Sequence, residues 1–594
     1  MMQALTHRQR FVWYGAWGRC TCWWGKWIRK TYTHFRNAWQ SANQRNCRST
    51  YVERIRSLSL SRSGRLFPAG FNLAPIKSLD LDEHRIVSTP RVLQSIGWRL
   101  KMVRRPIYAP YLDLAWRRLR DGHVQNEIPD IINLDDISSS WDRYRELIVR
   151  ALDGGHVGPD YVEIIDLPKN FVSVRPIARL SVHDRLVYDT LVFMIAHLVE
   201  GQLHPSVFSA RWGNQGKDFW SPINSWVSMQ KRGVEMMDNA PFGLARTDVV
   251  SFYEHIDIGT LEIDVQSIGA SPWTTERLIR YLTMFQSSSQ AWGIPQGPDS
   301  SGILANMYLL PVDEFVHRAG MEYLRYSDDM MIFDTERESL RNVVLEINSI
   351  LRSRRLSMSS AKTMIYDNRE AFRQLEDLEK DAVNYGLEIG EEGAGERLYK
   401  IFTEGIKGRQ KDRDVKFSLF RMGKHLDDRA LSWVIGNLKE NHHLADKLLR
   451  YLEKFPSRSA EVENAFTSTL EAVLGDKYDH LEQQILQAAT RQQIRSTRLR
   501  DVAWGILEDK NKTSLPREFA ARYIGRVSSV ADGQLLRKIF EDESDVNVRR
   551  SLLVAMYEAR SISRPLLQRL ATSQSKLAWV SLYLLKDPLV PLPR

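Results

Sequence analysis

Leu324 to Phe333 read Leu-Arg-Tyr-Ser-Asp-Asp-Met-Met-Ile-Phe, so two adjacent carboxylates, Asp328 and Asp329, interrupt an apolar, strand-forming run. Serine and aspartate favour turns and the flanks favour strands, which predicts a β-hairpin with the acidic pair at its tip. A turn accounts for the geometry but not for the electrostatics, because carboxylates this close repel unless water or cations neutralise them. Hard divalent cations such as Mg2+ take carboxylate oxygens as ligands, and two-metal sites for phosphoryl transfer are built from such acidic clusters. A site of that kind needs another carboxylate at a second strand end.

Upstream, Leu244 to Asp257 supply it. Asp248 follows a short strand-like run and precedes Phe252 and Tyr253. Between the two acidic elements, Gly293 to Phe315 form a Gly/Pro-rich turn that opens an amphipathic helix. Gly297 there would let the backbone approach a nucleotide or template closely. The order of strand with Asp, helices, then strand-Asp-Asp-strand is what a polymerase palm requires, since its carboxylate-bearing strands must lie side by side. After the hairpin, Thr335 and Glu338 stand at capping-box spacing, and Leu340, Val343, Val344, Ile347 and Ile350 share one helical face.

Composition narrows the partners. The net charge is +10, with 83 Lys and Arg against 73 Asp and Glu, which favours polyanions and nucleic acid first among them. Hydrophobic residues at 43% and charged residues at 26% describe an ordinary globular chain. Its 594 residues suggest about three to five domains. Cys20, Cys22 and Cys47 are too few for a disulfide framework or a zinc site, so a reducing, cytoplasmic setting is expected. No apolar run approaches the ~18 residues of a membrane span, and no membrane partner is expected.

Four segments are expected. Residues 1–105 are rich in Trp and Arg, and Glu53 is the only acidic residue before Asp80. This segment reads either as a basic aromatic arm for nucleic acid or as sequence outside the working fold, with Met102 as an alternative start or the segment as a leader. Residues 106–380 read as one mixed α/β domain, and 381–414 as a connector. Residues 415–594 read as amphipathic helices at roughly 30-residue spacing, the pattern of stacked HEAT-like pairs. Arg522, Arg526, Arg537, Arg549 and Arg550 would give that array charge to hold a polyanion. The array is expected to be dispensable for chemistry and to serve as a scaffold, including for a second copy of the chain.

The motifs together resemble a reverse transcriptase. Thr247 to Tyr253 are similar to the family's motif A, Pro295 to Asn306 to motif B, Tyr326 to Asp329 to the Tyr-x-Asp-Asp motif C, and Leu356 to Thr363 to motif D. Val174 to Val192 resemble the fingers segment of the bacterial enzymes. The resemblance covers about 170 to 370 and implies an α+β right-hand polymerase, fingers and palm, followed by an all-α HEAT-like domain. It implies Asp248, Asp328 and Asp329 as ligands of two Mg2+, with Mn2+ able to substitute. Lys362 would protonate the departing pyrophosphate, and Tyr253 would be the ring that excludes a ribose 2′-hydroxyl. Phe252, Gln296 and Gly297 would border the nucleotide, Arg175 and Arg179 would reach its triphosphate, and Tyr326 would support the primer end.

Glu254 stands where many relatives have Asp, and Pro298, Asp299 and Gly302 depart from the usual motif B, which touches template handling rather than metal chemistry. A reverse transcriptase joined to HEAT-like helices resembles the abortive-infection and "unknown group" enzymes of phage defence. That likeness implies an RNA-directed DNA polymerase, templated, untemplated or protein-primed, with dNTPs, RNA template, nascent DNA and a non-coding RNA as partners. The competing readings are a retron or group II intron-type enzyme acting on its own RNA, and a non-enzymatic helical scaffold.

Overall fold

The computed structural model describes residues 107–594 except 122–127, 160–161, 214–217, 240–241, 290–291, 376, 408–410 and 574. The expectations for residues 1–105 lie outside the described residues.

The first hairpin pairs β1 (Glu163–Pro168) with β2 (Val174–Arg179), antiparallel, with Ile165 opposite Ile177. Helix α1 (Val182–Glu200) follows, capped by the Ser181 hydroxyl, which accepts the Asp184 N–H. Its long apolar run is buried on most sides, so α1 passes through the core rather than over it. Helix α2 (Pro222–Asn239) precedes β3 (Gly243–Thr247), and α3 (Asp299–Tyr308) and α4 (Leu310–Arg318) precede the acidic hairpin of β4 (Glu322–Tyr326) and β5 (Asp329–Asp334). Helix α5 (Arg337–Ser353), β6 (Met364–Asp367) and α6 (Asn368–Leu375) complete this part.

The four palm strands lie in the order β4-β5-β3-β6, all antiparallel, with Thr247 opposite Met330 and Tyr326 opposite Asp329. Successive side chains point to opposite faces. Ala245, Tyr323, Met330 and Ile332 enter one core with Leu304, Leu340 and Ile347. Leu244, Leu324, Met331 and Phe333 enter another with Met229, Met236 and Met237 of α2 and Ala371 and Leu375 of α6. Covering both faces explains why the strands read as nearly continuous apolar runs rather than alternating ones.

The face predicted for α5 is correct: Leu340, Val343, Val344 and Ile347 are buried, and Ile350 packs against the same core. The predicted capping box is not formed. Glu336 is the N-cap residue and makes no side-chain cap; Asp334 instead accepts the Thr335 N–H at 2.6 Å. The acidic residue at the strand end takes the Thr335 N–H that the Glu338 side chain would accept in a capping box.

From 378 onward the described chain is helical. Residues 381–414, expected as a connector, carry the helices Leu378–Ile389 and Ala394–Gly405, whose Val383, Leu398, Ile401 and Phe402 join the core of the helices beyond. Helices α7 (Asp479–Arg491), α8 (Ser514–Val527), α9 (Val546–Glu558) and α10 (Ala578–Leu584) pack side by side in sequence, and Ser459–Val473 and Thr497–Glu508 pair behind them. At Gly525 the backbone of α8 approaches α9 so closely that a Cβ would run into Ala555. Among the described residues no helix is long and apolar enough to cross a membrane.

The array packs directly against the fingers. Its core takes in Ile131, Ile132 and Ile165. Arg179 donates to both oxygens of Glu518 at 2.5 and 2.9 Å, while Glu163 accepts the N–H and hydroxyl of Ser514 at 3.0 and 2.6 Å. The arginines expected to hold a polyanion are engaged within the chain. Arg522 and Arg526 converge on Glu558, Arg537 pairs with Glu541, and Arg549 lies over the Phe540 ring. Arg550 reaches across to Asp130 and Asp136, each at 2.8 Å. Against the upward push of burial, that guanidinium holds the Asp130 carboxyl below its usual range.

Removing one partner from such a buried cluster leaves uncompensated charge. Arg550→Ala is expected to destabilise the protein by about 3–5 kcal/mol, read from urea denaturation at neutral pH. A carboxylate with a depressed folded pKa contributes stability above its unfolded pKa and loses it as pH falls through the folded value. The gap between wild type and variant should therefore close in acid. A loss below about 0.5 kcal/mol at neutral pH contradicts the anchoring role.

Candidate active site

Asp248 is the first residue past β3, and Asp328 sits in the β4–β5 turn; because β3 and β5 are neighbours, the two carboxyls are brought together. Burial pushes the Asp328 carboxyl above the usual carboxylate range, and the charge of Asp248 pushes it further. Lys362 supplies the opposing charge, donating from Nζ to Asp248 Oδ2 at 2.6 Å. Its segment is stitched to the end of β3. The Ser359 N–H donates to the Asp248 carbonyl at 2.8 Å, the Val250 N–H to the Ser357 carbonyl at 2.9 Å, and the Thr247 and Thr363 hydroxyls meet at 2.8 Å.

The turn itself is strained and braced. Ser327 has φ 58°, in the left-handed region that costs a non-glycine residue roughly 1–2 kcal/mol. Its N–H donates to Ser209 Oγ at 2.6 Å, and its carbonyl accepts Arg325 Nη1 at 2.9 Å. Arg325 is fully buried and also donates to Asp313 Oδ1 at 2.8 Å and Asn306 Oδ1 at 2.9 Å. Asn306 in turn donates to the Ser209 carbonyl at 2.7 Å. Sequence reasoning missed Arg325, Asp313 and Asn306. The available signal was an arginine inside an apolar strand and two polar residues on the apolar stretch that follows motif B.

Asp329 is not brought together with the other two carboxyls. It lies on β5 opposite Tyr326, and its carboxylate takes a two-point ion pair from Arg246, with Nε at 2.9 Å and Nη2 also bonded. Among the described residues no cluster of three or more metal-ligating side chains is assembled. The facing pair still fits a hard cation. Two carboxyls at adjoining strand ends, with the charge of Asp248 raising the cost of ionising Asp328, form a donor set that a divalent ion would relieve.

Tyr253 lies beside Asp328. Burial raises its phenol to about 12, and its hydroxyl bonds Ser327. Phe252, expected to border a nucleotide, is buried in the palm core instead, because helical geometry turns the preceding side chain away from the cleft. The motif B loop is wedged against both fingers and palm. The Ile294 N–H donates to the Tyr253 carbonyl at 3.0 Å, and the Gln296 carbonyl accepts the Ala178 N–H of β2 at 2.9 Å. Gly297 has φ 115° and lies against Ile177, so a side chain there would be strained and crowded. Ser300 and Ser301 fasten α3 to α1 through Asp189 at 2.5 Å and Tyr188 at 2.8 Å. Arg175, exposed on β2, acts electrostatically on the Tyr253 hydroxyl and so faces the cleft. Arg179 does not; its guanidinium is turned to Glu163 and Glu518, where their negative charge outweighs the cleft.

Residues 167–385 match the family model described as reverse transcriptase (RNA-dependent DNA polymerase), and the enzyme class of the chain is that of an RNA-directed DNA polymerase. No curated protein matches the chain. Solved structures similar to it include apo telomerase from Candida tropicalis, at 12% identity and TM-score 0.29, covering 62% of this chain and 74% of that one. Telomerase from Candida albicans in complex with a TWJ fragment of telomeric RNA is similar at 10% identity and TM-score 0.28, covering 61% and 70%.

A carboxyl whose folded pKa is raised favours the fold while protonated, and that contribution is lost as pH rises through the raised value. Asp328→Asn is therefore expected to raise the melting temperature at pH ~7 in chelator, by a margin that shrinks toward the unfolded carboxylate pKa of about 4. An unchanged or lower melting temperature at neutral pH contradicts the charge repulsion assigned to the pair.

Proposed function

From the premise that residues 167–385 are a reverse transcriptase domain, we propose that the chain copies RNA into DNA with two Mg2+ held at Asp248 and Asp328 and serves bacterial antiviral defence of the abortive-infection type. The single observation that carries the chemistry is the facing of Asp248 and Asp328, with the repulsion that raises Asp328. Bound there, the cations would supply Lewis-acid activation of the attacking 3′-hydroxyl and charge neutralisation on the leaving pyrophosphate. Mn2+ would serve in the same donor set.

The remaining roles belong to the chain's own groups. Lys362, whose Nζ donates to Asp248 Oδ2, would carry a proton to the pyrophosphate oxygen. The Tyr253 ring, braced by its bond to Ser327, fills the space a 2′-hydroxyl would need. Arg175 would meet the triphosphate from the fingers side, and Gln296 and Gly297 would form the floor under the nucleotide and template base. Asp329 acts through Arg246, fixing the start of β5 and hence the turn that presents Asp328. We infer that the layered helices beyond 378 are a HEAT-type array that carries a non-coding RNA or a second copy of the chain. The defence role rests on the resemblance of this pairing of polymerase and helical array, and dNTPs, RNA template and nascent DNA are the partners it implies.

The deciding experiment supplies a primed RNA template, labelled dNTPs and Mg2+, with RNase treatment as a control for template identity. Asp248→Asn and Asp328→Asn should each lower incorporation by roughly a thousandfold or more while the protein remains folded. Robust synthesis by either variant contradicts the site. Tyr253→Val relieves a clash of about 1–3 kcal/mol, so discrimination against ribonucleotides should fall by about ten- to a hundredfold. An unchanged dNTP/rNTP ratio would return Tyr253 to a packing role.

A further inference from the structure

Strand parity assigns the palm sheet a working face. Asp248, Arg246, Asp329 and Tyr326 share the side occupied by Leu244, Leu324, Met331 and Phe333, since Arg246 and Asp329 bond on that side and Val249 goes to the opposite core. Helices α2 and α6 cover the lower part of this face through Met229, Met236, Met237, Ala371 and Leu375. The first turns of α2 run beyond that cover, up to the acidic turn. There the Trp226 ring meets Tyr326 edge-on at 5.2 Å and 82°, and the Tyr326 hydroxyl donates to the Pro222 carbonyl at 3.3 Å.

Around that junction the apolar side chains face outward. Trp220 is 45% exposed, Ile223 73%, Trp226 37% and Val227 44%. Single exposed apolar residues are ordinary, but four grouped within eight positions and joined to a ring beside the acidic turn form a contiguous patch that marks a binding surface. Ile223, Trp226 and Val227 recur at i, i+3 and i+4, so they form one stripe at the start of α2, ahead of the turns that Met229, Met236 and Met237 bury.

The occupant follows from where this surface lies. A growing strand must present its 3′-hydroxyl at Asp248 and Asp328; Tyr326 shares its face of the sheet with Asp248 and directly precedes the turn that carries Asp328. The nucleotides just behind the 3′ end therefore pass over Tyr326 and Trp226. Aromatic side chains stack on any base, which suits a polymerase that must hold every sequence equally. We propose that Trp220, Ile223, Trp226 and Val227, continuous with Tyr326, hold the terminal nucleotides of the nascent DNA strand by stacking and apolar contact; this rests on the polymerase reading above.

The test uses the full chain and a fluorescent DNA primer annealed to an RNA template. Trp226→Ala should weaken primer–template binding by about five- to a hundredfold and raise the KM for primer equally, with the KM for dNTP unchanged. Trp226→Phe should restore most of the loss, and Ile223→Ser, at a largely exposed position, should show a smaller loss in the same direction. The salt dependence of binding should keep its slope, because stacking releases no counterions. If wild type extends the primer and Trp226→Ala leaves both primer affinity and primer KM unchanged, this inference falls and the polymerase reading stands. Light scattering that shows the wild type dissociating on Trp226→Ala, without a change in primer KM, would assign the patch to self-association and overturn it. Absence of any incorporation by wild type would remove the polymerase reading and this inference together.

Discussion

The buried ion pair between Arg325 and Asp313 fixes the centre of the molecule. Removing a guanidinium and a carboxylate from water costs several kcal/mol per ion, and attraction offsets this only when the remaining donors and acceptors are also matched. Arg325 meets that condition: besides Asp313 it serves Asn306 and the Ser327 carbonyl, and Tyr323 adds a hydrogen bond to Asp313 at 3.2 Å. One side chain therefore ties α3, α4 and β4 to the strained turn. The left-handed Ser327 and the placement of Asp328 against Asp248 both depend on it. A lysine would carry the charge but not the planar fork that reaches several acceptors at once.

Around this centre the electrostatics divide the acidic residues by task. Asp248 and Asp328 face one another and repel, whereas Asp329, one position later, is neutralised by Arg246 on the neighbouring strand. The adjacent pair that looks symmetrical in the chain is thus asymmetric in space. One member is left facing a like charge and the other ties β5 to β3.

Much of this could be read before any coordinates. The apolar flanks of Asp328, the strand before Asp248 and the 3.6-residue period of α5 each follow from local pattern, because packing on a sheet or helix face selects those residues directly. The helices α8, α9 and α10 were visible for the same reason. What remained hidden depends on partners distant in the chain. Arg179 and Arg550 carry no mark that distinguishes an exposed cation from a buried strut; only Glu518, Asp130 and Asp136, hundreds of positions away, decide it. Phe252 and Tyr253 look equivalent in sequence, and only the rotation of a short helix sends one into the core and the other toward Asp328. The capping box failed on a smaller margin, since Asp334 competes for the same donor.

The clasp of Arg179 and Glu163 on Glu518 and Ser514 has a mechanical meaning. A finger hairpin attached only to a palm can swing as a jaw, hinged at its base. Here β2 is bolted at its far end to α8 and joined along its edge to the Gln296 carbonyl, so it has no hinge of its own. The helical array is then an arm with the loop of Gln296 and Gly297 at its short end. A displacement of α8 is therefore passed through Arg179 to β2, and from β2 to the loop of Gln296 and Gly297, without an intervening joint.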